Sequence, residues 1–77
     1  MIVTPVRRAR LLYEEARNEH LHAGLNSINA SKAAKITVLS MCHETKKVWE
    51  KNAYPHHNYH KVIEYWNEVE AEINKIP

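Results

Sequence analysis

Apolar residues return at steps of three and four through most of this chain, the spacing of helices that bury one face. The clearest run lies in the last third. There Tyr59, Val62, Ile63, Trp66, Val69, Ile73 and Ile76 form one stripe. A second stripe comprises Val6, Ala9, Leu12, Tyr13, Ala16, His20 and Ala23. The third, in the middle, holds Ala34, Val38, Met41, Cys42, Thr45, Val48 and Trp49, with Ile36 and Leu39 widening it on one side. A broad apolar arc predicts a helix touched by two neighbours.

The punctuation agrees. Thr4-Pro5 is a helix start, because Thr caps and Pro suits the first helical position. Gly24, the only glycine, stands where a left-handed C-terminal cap is wanted. Residues 25–31 read as a polar connection, with Asn29 or Ser31 capping the next helix and Ile28 packing as a plug near its start. Tyr54-Pro55 is a break, since the residue before proline is pushed away from helical angles. If Tyr54 is the flanking residue, the third helix begins at Pro55; if Asn58 is the cap, it begins later. The expected helices are about 5–24, 31–52 and 56–75. The fold class is all-α: a three-helix antiparallel bundle or an assembly of helical hairpins. Residues 1–77 make one small helical domain, with no repeat and no linker.

Composition sharpens this picture in three places. A chain of 77 residues buries a modest share of its surface. Such a domain wants a helper, and a single cysteine, Cys42, supplies no internal disulfide. Self-association or a partner protein is therefore expected. A net charge of +2 falls well short of a nucleic-acid-binding balance. No signal peptide is read at the start and no apolar run suits a membrane span, so a cytoplasmic location and no membrane partner are expected.

Candidate chemistry is sparse. Arg7, Arg8, Arg10 and Arg17 lie along the first helix, and positive charge near a helix N-terminus opposes the helix dipole. Arginines there suit phosphate or a carboxylate-rich partner. Glu14 is placed to neutralise Arg10 four residues before it and Arg17 three residues after it. Leu11, Leu21 and Tyr65 sit at or beyond the stripe edges, where a partner would touch. His56, His60 and Glu64 share one face if the third helix starts at Pro55, a spacing that lets side chains reach one metal ion. The bland alternative for that face is a solvated helix start. Cys42 lies on an apolar face and reads as a small buried hydrophobe.

The pattern points to a small non-enzymatic helical protein that binds another macromolecule. An adaptor or an inhibitor of a larger protein fits, and a phage or mobile-element accessory factor is a compatible setting. Another protein is the expected partner, and the chain itself is expected to form a homo-oligomer. A nucleic-acid-associated regulator using the basic start of the first helix is the alternative, and a metal-binding protein using His56, His60 and Glu64 the second. No cofactor is expected.

Overall fold

A computed structural model describes residues 3–52 and 59–77. The chain forms three helices, α1 (Pro5–His22), α2 (Ser27–Asn52) and α3 (Tyr59–Lys75), and every pair of helices packs together. Cross-links fix their directions. Tyr65 Oη, early in α3, donates 2.9 Å to the carbonyl of Val3 beside the start of α1. Lys35, early in α2, donates 2.8 Å to the carbonyl of Ile76 beyond the end of α3. So α1 and α3 run the same way and α2 runs against both, an up-down-up bundle.

Local chemistry accounts for the helix ends. Thr4 is extended, and its hydroxyl accepts the Arg7 N–H at 3.3 Å, with Pro5 in the first turn. At the other end of α1 the backbone turns left-handed at Gly24, with φ +101°. The Gly24 N–H donates to Leu21 (3.1 Å) and the Leu25 N–H to His20 (3.2 Å). This crossed pair satisfies two carbonyls that the helix leaves open. Nothing crowds the space a Cβ would fill, so the requirement for glycine is conformational alone. Gly24→Ala should cost about 1 kcal/mol, read as a lower thermal midpoint, and Gly24→Asn should cost less. An Ala variant as stable as the wild type would contradict the left-handed stop.

The second helix begins earlier than its sequence suggests. Asn26 caps it: its side-chain oxygen accepts the Asn29 N–H at 2.8 Å and its carbonyl the Ala30 N–H at 2.8 Å. The expected start near residue 31 is thus corrected to Ser27, and the connection shrinks to residues 23–26. Asn26 lies two residues beyond the glycine stop, so the chain reverses and is capped at once. Ile28, expected as a plug, is instead among the most exposed apolar side chains. The cap of α3 falls outside the described residues.

The core is built from small side chains. Ala9, Ala16, Ala30, Ala34, Val38, Cys42, Val69 and Ile73 are buried. Leu12, Tyr13, Leu39, Tyr65, Trp66 and Ile76 pack around the centre while remaining partly exposed. Tyr65 and Trp66 meet edge to face, with ring centroids 5.4 Å apart. Met41, Val48 and Ile36, all expected on or beside the buried face of α2, stay exposed, as does Val6 on α1, because the stripe that α2 buries is the narrower one of Ala30, Ala34, Val38 and Cys42.

Candidate functional site

Two surfaces merit a functional reading. The first is a groove of about 560 Å³ where α1, from Val6 to Arg17, faces the end of α3. Val6, Ala9 and Ile76 are among its apolar lining residues, and Arg10, Glu14 and Arg17 line it from α1. Glu72 and Lys75 stand opposite and neutralise each other across 3.0 Å.

Arg17 is held in an unusual way. Its Nε donates to Ser31 Oγ at 3.0 Å and its Nη2 to Ser27 Oγ at 2.9 Å. Both acceptors are neutral hydroxyls from the first turns of α2. The planar guanidinium is thus fixed in direction while its charge is unspent, and it retains further N–H donors. The neutralising pairs expected between Glu14 and the two arginines do not form. Among the described residues, the carboxylates in ion pairs are Glu70 and Glu72, and both pair with lysines. Glu14 sits on an exposed turn where solvation outweighs a surface pair worth only a few tenths of a kcal/mol.

The other predicted residues separate. Arg8 leaves the basic row: its Nε donates to Tyr65 Oη at 3.4 Å. Tyr65, expected at an outer edge, is thereby tied to both Arg8 and Val3 inside the bundle. Arg7 and Leu11 are exposed, and Leu21 is half-buried. Of the proposed metal ligands, His60 and Glu64 are exposed on α3, and His56 lies outside the described residues. No cluster of three metal-binding side chains occurs among the described residues.

The second surface is the outer side of α2. Ile28 is 69% exposed and Ile36 67%. Eight residues separate them, so on a helix they lie within about 80° of each other, with Lys32 between. No helix among the described residues is long and apolar enough to cross a membrane.

Between α2 and α3, Lys46 reaches Glu70 at 2.7 Å and donates to Asn67 Oδ1 at 2.9 Å. Glu70 Oε1 is closed off from solvent and accepts no aligned hydrogen bond, so the nearby ammonium offsets its desolvation. Beside this pair lies the Cys42 thiol. Burial pushes its pKa up from 9.0 to about 11, with Glu70 adding to the shift and Lys46 opposing it. A thiol held protonated in this way is a packing group and a poor nucleophile.

No family model, curated protein or solved structure matches this chain. The functional reading therefore rests on its own residues. Sequence reasoning found Arg10 and Arg17 but missed the groove, whose other wall comes from Glu72 to Ile76. It also missed the two serines. Ser27 and Ser31 are four residues apart on one helix face, but that spacing becomes a signal only once the start of α2 is known.

Proposed function

We propose that this chain is a small non-enzymatic helical protein that works by binding another protein, as an adaptor or an inhibitor. The supporting observation is where its apolar bulk lies. Half of the buried residues are alanines, while Ile28, Ile36 and Val48 on α2 and Val6 and Leu11 on α1 are exposed. Burying a large aliphatic side chain is worth roughly 1.5–3 kcal/mol, and at Ile28 and Ile36 the isolated chain forgoes most of it. A partner that covers the α2 face gains that energy.

The test compares the wild type with an Ile28→Glu/Ile36→Glu double variant. Both side chains are exposed, so the variant should melt within about 0.5 kcal/mol of the wild type. The wild type should capture from source-cell extract a protein that the variant does not, and a purified binary complex should follow. Light scattering across a concentration series asks whether a second copy is that partner. A variant that captures the same proteins and assembles identically would remove this face from the reading.

A further inference from the structure

We propose that the groove between α1 and the end of α3 binds an extended, acidic segment of a protein partner, with Arg10 and Arg17 receiving two of its carboxylates. This rests on the reading of the chain as a protein-binding domain and adds a second contact site with its own chemistry.

Three observations converge. First, Arg17 is oriented by Ser27 and Ser31, which take up two of its donors without cancelling its charge. An arginine aligned by neutral hydroxyls meets a carboxylate with little further ordering, and the guanidinium fork matches a carboxylate in two-point geometry. Second, Arg10 lines the same wall and pairs with no carboxylate among the described residues. Seven residues of helix separate it from Arg17, a rise of about 10 Å. The two side chains therefore project into one groove at a spacing that an extended peptide can match, since it advances about 3.3 Å per residue. Third, Val6, Ala9 and Ile76 add apolar lining to the same groove. Carboxylates for the two arginines and aliphatic side chains for that lining describe a segment that is both acidic and apolar.

The same features favour peptide over nucleic acid. Apolar lining offers little to a phosphodiester backbone. Glu14 and Glu72 oppose any anion, and the more so a continuous polyanion, while the N–H groups of a peptide can donate to them.

The probe is a capped Glu-Leu-Ala-Leu-Glu peptide, titrated into isotopically labelled protein and followed by amide shifts. Its glutamates share one edge of an extended chain, about 13 Å apart, within the reach of two arginine side chains. Saturable shifts should gather at Arg10, Tyr13, Arg17 and Ile76. Arg10→Gln, which breaks no internal contact in the described fold, should weaken binding about tenfold, as should the Gln-Leu-Ala-Leu-Gln peptide. Arg17→Gln should do the same and is read beside a thermal melt, because it also releases Ser27 and Ser31. The proposal is overturned by an absence of saturable shifts, by equal affinity for the Gln peptide, or by tighter binding of a short oligothymidylate. None of these outcomes touches capture through Ile28 and Ile36, so the two surfaces stand or fall separately.

Discussion

Ile73→Ala should lower stability by about 3 kcal/mol, the middle of the range for removing a fully buried isoleucine side chain. Ile73 has no exposed surface and sits among Val38, Cys42 and Val69 at the centre of the bundle. Val38 and Val69 are stiff β-branched side chains and Cys42 is small, so these neighbours should fill little of the cavity. For a chain of this length a total stability of roughly 4–12 kcal/mol is expected, and the loss is a large fraction of it. The thermal midpoint should fall by roughly 12–24 °C. Ile36→Ala is the internal control. It removes the same atoms from a helix, but from a side chain 67% exposed, and it should stay within about 0.5 kcal/mol of the wild type. Comparable losses at the two positions would mean that the face of α2 or of α3 is misassigned.

Alkaline pH should cost the fold about 2 kcal/mol through Cys42 alone. The folded thiol titrates near 11 and the unfolded one near 9.0. Well below pH 9.0 both states keep the proton, and the contribution to stability is complete. Between those values the unfolded chain ionises and the folded chain resists, so the unfolded state binds fewer protons and stability falls as pH rises. By a pH of about 11, about 2 kcal/mol should be gone. Tyrosines and lysines titrate in the same region, so Cys42→Ala serves as the reference. Urea midpoints at about pH 8 and about pH 11 should show the wild type losing about 2 kcal/mol more than the variant. Parallel losses would mean that the folded thiol ionises freely.

Cys42 also shows how environment outranks neighbourhood in sequence. His43 is adjacent along the chain, yet consecutive helical residues point about 100° apart. The thiol sits in the apolar core with the Lys46–Glu70 pair, assembled from two helices, beside it. The position of Cys42 on an apolar face was readable from its spacing with Ala34 and Val38. The carboxylate near it was not.

The same division runs through the whole protein. Local rules determined that there are three helices, where α1 starts and stops, and that Val69 and Ile73 face inward. Each of these depends on contacts within a few residues: the Thr4 cap, the left-handed Gly24, and a repeat of three and four. The start of α2 was also local, but Asn29 and Ser31 offer the same capping chemistry and read as the cap in the sequence, so Asn26 was passed over.

Only the tertiary structure decided how much of each apolar stripe is covered. Periodicity gives the direction of a face, whereas its buried width depends on how closely the neighbouring helices approach. Here the buried stripe of α2 is Ala30, Ala34, Val38 and Cys42, and Ile36, Met41 and Val48 are left exposed. Tertiary packing likewise divided the arginine row: Arg8 went to Tyr65, Arg17 to two serines, and Arg10 was left open beside the groove. A row of like charges in sequence became three different environments, because each side chain's partners lie on another helix.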